Sequence, residues 1–506
     1  MHSVSLSKIA ACGLFLVCVN SSAAVRLARV FRDHMVLQRQ MPVPVWGWAD
    51  PREQIEVRLG NSGGRTTAGQ DGFWLVRLAP LKPGGPFSLV VRGTNTVELQ
   101  DVLVGEVWLC AGQSNMVWPV HKCLNAEDEI AAANHPRLRL LQVPRRPAEQ
   151  PRADLGRASV WQPCTSESVK GFSGTAYFFG RHLLQKLDVP IGLINSSVGG
   201  TSIEFWISCR KLGQTSETSA ILQRYEQAKP HLQTRRAAYR KKMARWQEAK
   251  KSAEANGKPP SKPPRAPHFV QPARRPAALF NGMVYPLIPF AIRGVIWYQG
   301  ESGGEPYGKL LPALITDWRT RWGQGDFPFC VGQLHNVRAM QTDPNEKCLW
   351  NARREAQLRT AQRLPNVGLT VAIDIGLPHT THYPNKQEVG RRFALWALGA
   401  IYGRTLTYSG PVFRDMSVEG NRVRLTFEHT GDELTAKGGE LKGFVVAGKD
   451  RKFTWADARI DGKSVLVWSD DVPKPQAVRY GWAANPACTL YNSAGLPASP
   501  FRTDNW

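Results

Sequence analysis

The apolar run Val102-Leu103-Val104-Gly105-Glu106-Val107-Trp108-Leu109-Cys110, closed by Gly112-Gln113-Ser114-Asn115-Met116, constrains the fold of this chain more than any other stretch. Its length and β-branched content are those of a buried strand, and the small residues after it force a tight turn. A serine on such a turn has its hydroxyl lifted off the strand end and its N–H free to face a ligand. That is where a serine nucleophile is needed. The same residue also suits the cap of a following helix, and the pentapeptide alone leaves both readings open.

From residue 102 onward, strand-like runs alternate with helical stretches: Val107 to Cys110, Tyr177 to Leu187, Ile191 to Asn195, Val295 to Tyr298, Phe329 to Gln333, Val367 to Ile373 and Gln387 to Tyr402. The alternation predicts an α/β unit over 102–403, with a parallel sheet flanked by helices. Before it, residues 25–101 hold short β runs separated by Gly, Pro and Asp turns, which predicts a small N-terminal β-sandwich domain. After it, residues 404–506 are β-like again and predict a C-terminal β-domain. A basic insertion at about 213–275 interrupts the α/β unit. Ser216 to Ala255 reads as amphipathic helix broken near Pro230, followed by the Pro/Lys-rich connector Gly257 to Pro264. The insertion reads as a solvated helical arm, with a partner or substrate platform as the alternative.

The chain has 506 residues and a formal net charge of +24. From Arg210 to Arg275 there are 17 Lys/Arg against 4 Asp/Glu, so about half of the excess is local. The remainder is diffuse and lacks the aromatic interleaving of nucleic-acid readers, so no nucleic-acid partner is expected. A preference for acidic glycans or an anionic surface fits this balance. Lys8, the apolar Ile9 to Val19 and the small Ser21-Ser22-Ala23-Ala24 read as a signal peptide over residues 1–24, and hence as export to the periplasm or beyond the cell. No later stretch is long and apolar enough to span a bilayer. Seven cysteines follow the signal, with no ligand spacing for a structural metal; a bridge from Cys110 or Cys123 stays open.

Three further segments bear on Ser114. Ile194-Asn195-Ser196-Ser197-Val198-Gly199-Gly200-Thr201-Ser202 runs a strand into paired glycines, whose N–H groups can approach a ligand closely; a plain turn before a helix is the alternative. Gly294-Val295-Ile296-Trp297-Tyr298-Gln299-Gly300-Glu301-Ser302 delivers Gln299 and Glu301 past another strand end, where open α/β sheets collect binding groups. His382-Tyr383-Pro384-Asn385-Lys386 puts a histidine on a loop before a helix, within reach of the first strand end.

Together these segments resemble the sialate O-acetylesterase family, a branch of the SGNH hydrolases. The likeness extends to Met35-Val36-Leu37-Gln38-Arg39, Val45-Trp46-Gly47-Trp48-Ala49, Asn281-Gly282-Met283, Asp317-Trp318-Arg319, Arg354-Glu355-Ala356-Gln357 and Val389-Gly390-Arg391-Arg392. The resemblance implies a cofactor-free, metal-free serine esterase acting on O-acetylated carbohydrate, with O-acetylated sialic acids as the expected substrate. Acetylated xylan or another polysaccharide, and a glycan-binding relative without turnover, are the alternatives; the unusual loop Ser302-Gly303-Gly304 motivates the last. By position the nucleophile is Ser114, the base His382, and the oxyanion donors the N–H groups of Ser114 and of Gly199 or Gly200 together with the Gln299 amide, each worth about 3 kcal/mol in the barrier. The family's Asp-Ile-His-Pro is replaced by Thr380-Thr381-His382-Tyr383, so the usual acidic residue before the base is missing. Glu301 is the preferred replacement to orient His382, a backbone carbonyl the second option. Asp374 reads as structural, and His379 as an alternative base.

Overall fold

The computed structural model describes residues 24–267, 269–303 and 306–506. The signal segment, apart from Ala24, and Gly304 of the Ser302–Gly304 loop lie outside these residues.

The strand that carries the turn extends from Thr96 to Gly112 and changes character midway. Up to Asp101 its residues are mostly exposed and pair antiparallel with Gly84–Arg92. From Val102 on every residue is buried, and the strand pairs parallel with Ile191–Ser197 on one side and Gly294–Tyr298 on the other. Asp101 marks the change: its φ is +54°, and Arg139 and His34 both hold its carboxylate. The expected boundary at 101/102 thus falls inside one continuous strand.

Parallel pairing continues outward, giving the spatial order His135–Gln142, Ile191–Ser197, Thr96–Gly112, Gly294–Tyr298, Phe329–Gly332, Val367–Thr370. The sheet is mixed rather than purely parallel. Trp161–Cys164 adds an antiparallel edge, and Val36–Gln38, Gln54–Leu59, Ser62–Thr67 and Gly84–Arg92 join through the first half of Thr96–Gly112, while Arg26–Leu27, Val43–Trp48 and Phe73–Leu78 form a separate sheet. From its central strand the chain moves first to one side of the sheet and then to the other, so a crevice opens at the carboxyl end of that strand, where such sheets bind ligands.

From Val107 to Ala111 both faces of this strand are covered, which is why that stretch is continuously apolar. Val107, Leu109 and Ala111 face one core together with Trp297, Leu311 and Trp318. Trp108 and Cys110 face the other, with Phe179 and Phe393. The helices Gly174–Leu187 and Lys386–Trp396 cover that second face, packed so closely that a Cβ at Gly390 would stand 2.6 Å from the Phe178 Cβ. The first core is continuous with that of the leading β strands, through Trp46, Trp74 and Val76.

The insertion forms the helices Ser216–Ala228 and Leu232–Ala255, separated by a short turn at Lys229–His231 that contains Pro230. Beyond Tyr408 the chain builds small antiparallel sheets around one further core. This part is fastened to the α/β unit by Arg354. Its fully buried guanidinium donates to the carbonyls of Leu334 and His335 on one side and of Ala483 and Ala484 on the other. All seven cysteines among the described residues are free thiols, so neither Cys110 nor Cys123 forms the bridge left open by the sequence.

Candidate active site

Three strand ends lie level with one another, since Gly112 is in register with Ser197 on one side and with Tyr298 on the other. Gly112 is required there: its φ is +142°, and a Cβ would stand 2.1 Å from the Tyr298 carbonyl oxygen. The Gln113 N–H donates to that same carbonyl at 3.0 Å, and the Val198 N–H to the Gly112 carbonyl at 3.1 Å. The chain turns into a one-turn helix, Ser114–Val117, that starts on Ser114 itself.

The first of the paired glycines, Gly199, meets Ser114 directly. A Cβ on Gly199 would stand 3.5 Å from the Ser114 Cβ. Gly200 has φ +68°, in the left-handed region that glycine occupies freely. Among the described residues, the N–H groups of Ser114, Gly199 and Gly200 and the Ser114 hydroxyl make no hydrogen bond. The turn that carries the glycines is braced from below: the Thr201 hydroxyl donates to the Val198 carbonyl at 2.6 Å and accepts from Trp206 Nε1 at 3.2 Å.

The loop that carries His382 is tied to the Ser114 turn. Asn115, next to Ser114, donates to the Thr381 carbonyl at 3.0 Å, and the His382 ring stacks on Trp118. Burial, with the nearby Lys386 charge, holds the His382 pKa below the usual value, so the ring is a free base at neutral pH. Neither ring nitrogen of His382 has a hydrogen-bond partner among the described residues. His379 is exposed, and Asp374 is committed to the Arg392 guanidinium at 2.6 and 2.8 Å and to the Tyr491 hydroxyl. Asp374 is therefore structural, as expected.

Glu301 and Gln299 occupy the site, with contacts other than those the sequence suggests. The carboxylate of Glu301 accepts from Asn115 Nδ2 and makes no hydrogen bond to His382; its Oε2 is enclosed without a partner among the described residues. Arg353 directs this loop by donating to the carbonyls of Gly300 and Gly303. Burial raises the Glu301 pKa, while the Asn115 bond acts the other way. The Gln299 amide nitrogen is fully buried and points to Gln113 Oε1, the Thr201 carbonyl and the Ser302 carbonyl at 3.1 to 3.2 Å. With two N–H groups and three protein acceptors, it has none to spare for an oxyanion. It ties the two loops together instead.

The residue that joins these parts was not singled out in the sequence. Asn115 Oδ1 accepts from the Lys386 ammonium at 2.7 Å, and Lys386 also donates to the Tyr383 carbonyl at 2.6 Å. Burial lowers the Lys386 pKa to about 7. The Ser-Asn and Asn-Lys pairs were visible in the chain, but nothing local shows that Asn115 and Lys386 meet. Beside Gly200 and Glu301 opens a cavity of about 1100 Å3.

Comparison with known proteins gives the family. The family model for carbohydrate esterases described as sialic acid-specific acetylesterase matches residues 104–255 and 275–398. The sialate O-acetylesterase of Pongo abelii is 30% identical over 94% of this chain and 92% of its own length. That of Homo sapiens is 29% identical over 94% and 92%. A carbohydrate acetylesterase from Xanthomonas citri has the same fold with a TM-score of 0.80, at 36% identity over 96% of this chain and 100% of that one. The chain belongs to the sialic acid-specific acetylesterase family of carbohydrate esterases and is a carboxylic ester hydrolase.

Proposed function

We propose that this protein is an exported acetylesterase that removes O-acetyl groups from glycans, with O-acetylated sialic acids as substrate and an acyl-serine intermediate. The observation that carries the reading is the seat of Gly199 against Ser114, with the N–H groups of residues 114, 199 and 200 unspent around an uncommitted hydroxyl. In this mechanism the ester carbonyl lies between those donors. His382, neutral at physiological pH, takes the Ser114 proton as the oxygen attacks and returns it to the departing sugar hydroxyl. The acetyl group is left on Ser114. Water, activated by the same imidazole, then releases acetate and restores the hydroxyl. The donors are the backbone N–H groups, each worth about 3 kcal/mol in the barrier; Gln299 fixes the loops that carry them. Glu301 acts through Asn115, whose bond to the Thr381 carbonyl sets the backbone just before His382.

Acetate release from O-acetylated sialic acid and from acetylated xylan, measured side by side, tests the substrate. The reading expects the first to be preferred and both to vanish in a folded Ser114→Ala variant. Full activity in that variant ends the proposal. Sequencing of the mature N-terminus from an exported fraction tests the loss of residues 1–24.

A further inference from the structure

The family model stops at residue 255 and resumes at 275, and described residues between, Pro263 to Pro267, Phe269, Gln271 and Arg274, line the cavity beside Gly200 and Glu301. They are held in place. Trp246 Nε1 donates to the Ser261 carbonyl at 2.8 Å, which lays the connector along the long helix of the insertion. Phe269 packs edge-on against Tyr225 with ring centroids 5.3 Å apart. Tyr239, from the same long helix, also reaches the cavity. The insertion is therefore a wall of the cavity rather than a detached arm.

Within this wall Arg274 stands apart. A short turn, Pro272–Arg274, carries it, and its N–H donates to the Gln271 carbonyl at 2.9 Å. Its guanidinium lies over Gly200, with Nη2 3.5 Å from where a Cβ would be. The residue is half-buried, and among the described residues the guanidinium makes no hydrogen bond or ion pair. By contrast Arg353, on the opposite wall, is spent on the carbonyls of Gly300 and Gly303. The two carboxyl groups among the described cavity residues do not neutralise Arg274. Neither Glu204 nor Glu301 is within ion-pairing distance, and burial favours the protonated form of both, that of Glu204 up to about 7. Arg265, Arg338 and Lys347 add positive charge around the same space. A planar guanidinium beside Gly200, partly withdrawn from water and lacking an acceptor among the described residues, suits a planar anion that offers two oxygens.

We propose that Arg274 binds a carboxylate of the acetylated glycan, and that the 256–274 connector thereby makes the enzyme select acidic over neutral sugars. This rests on the esterase reading above and adds a specificity residue to it. The contact is made on binding and retained through the reaction, so it acts mainly on KM.

The test compares kcat/KM on two acids, an O-acetylated sialic acid and an O-acetylated uronate, with kcat/KM on their neutral methyl esters. Wild type is expected to prefer acid over ester by tenfold or more. Arg274→Gln and Arg274→Ala bring that ratio close to one, chiefly through KM, and Arg274→Lys retains part of it. A ratio unchanged by the substitutions, or acid and ester falling together, overturns the proposal. The two acids distinguish a sialate from a uronate as the source of the carboxylate. A second arm measures binding of the deacetylated acids and their methyl esters to Ser114→Ala by calorimetry, with and without Arg274→Gln. Tighter binding of the acid that Arg274→Gln abolishes supports the carboxylate site even if wild type releases no acetate, an outcome that sinks the esterase reading alone. Equal binding of acid and ester overturns the site.

Discussion

Trp118 lies flat against His382, with ring centroids 5.2 Å apart and planes 21° from parallel. The indole holds the imidazole without a hydrogen bond and covers one face of it. Burial is the leading cause of the lowered His382 pKa, so removing the indole acts on position and on titration. Such a stack is worth about 0.5–1.5 kcal/mol. Trp118→Ala is expected to reduce kcat about tenfold and to move the acid limb of the pH–rate profile upward, toward the ordinary histidine value. Trp118→Phe should restore most of both. A profile unmoved in Trp118→Ala would show that the stack does not set the titration of His382.

Lys386 gives a second pH-dependent signature, this time in stability. Its pKa is about 7 in the folded protein against 10.5 for the ordinary side chain. Between these values the unfolded chain holds a proton that the folded chain has shed. Lys386 therefore adds stability as pH rises from 7 toward 10.5, and that contribution is lost as pH falls through 7. Lys386→Met removes the titration and leaves Asn115 Oδ1 and the Tyr383 carbonyl without their donor. The variant should be less stable than wild type, and its deficit should widen by about 2–3 kcal/mol between pH 7 and pH 9. Urea unfolding of both proteins at the two pH values measures this. A constant deficit would mean that Lys386 does not titrate in this range.

How far the sequence discloses this site follows from where the information lies. The strand ends were legible because Val107 to Ala111 is buried on both faces, which a chain displays as an unbroken apolar run. Gly199 and Gly200 were legible as glycines after a strand. The strand His135–Gln142 was not, because Arg137 and Arg139 interrupt its apolar pattern, and the buried Arg139 is satisfied by Asp101, 38 residues away, and by the carbonyls of His34 and Pro136. The helix Tyr307–Trp322 was obscured by Pro312 in its interior. Within the site, the types Gln299 and Glu301 were readable, but their partners were not. An amide or carboxylate at a strand end suggests an oxyanion donor or an orienting acid. Whether it plays that part depends on which of its neighbours claims it first, and here those neighbours are Thr201, Ser302 and Asn115.

Gly112 offers a test of how tightly the turn fixes Ser114. A Cβ there would meet the Tyr298 carbonyl at 2.1 Å, and φ at that position is +142°. Backbone cannot yield as a side-chain tip would, so Gly112→Ala must push the central strand away from Gly294–Tyr298 or abandon the turn. A loss of about 3 kcal/mol or more in stability is expected, with kcat falling by at least 10²-fold because the hydroxyl is displaced from its donors. Thermal unfolding and acetate release measured together check this. A fully active, equally stable variant would show that the strand ends tolerate displacement.

Glu301→Gln separates the two ways in which the glutamate can serve His382. If the carboxylate orients the imidazole directly, its neutral analogue favours the wrong tautomer, and the loss approaches 10⁴-fold in kcat. The carboxylate instead accepts from Asn115, and Asn115 accepts from Lys386 while donating to the Thr381 carbonyl. A glutamine can still present its Oε1 to Asn115 Nδ2, so the hydrogen bond survives and only the charge is lost. The charge of Glu301 also supports the protonated form of Lys386, which should become harder to protonate in the variant. The expected result is a fall in kcat of about tenfold, an acid limb moved slightly upward as Lys386 loses charge, and a stability-versus-pH curve whose Lys386 contribution begins at lower pH. Glu301→Ala, which removes the acceptor altogether, should cost more than Glu301→Gln. A 10⁴-fold loss in Glu301→Gln would place the carboxylate on His382 in the working enzyme, and with it a movement of the Gly300–Gly303 loop away from Asn115.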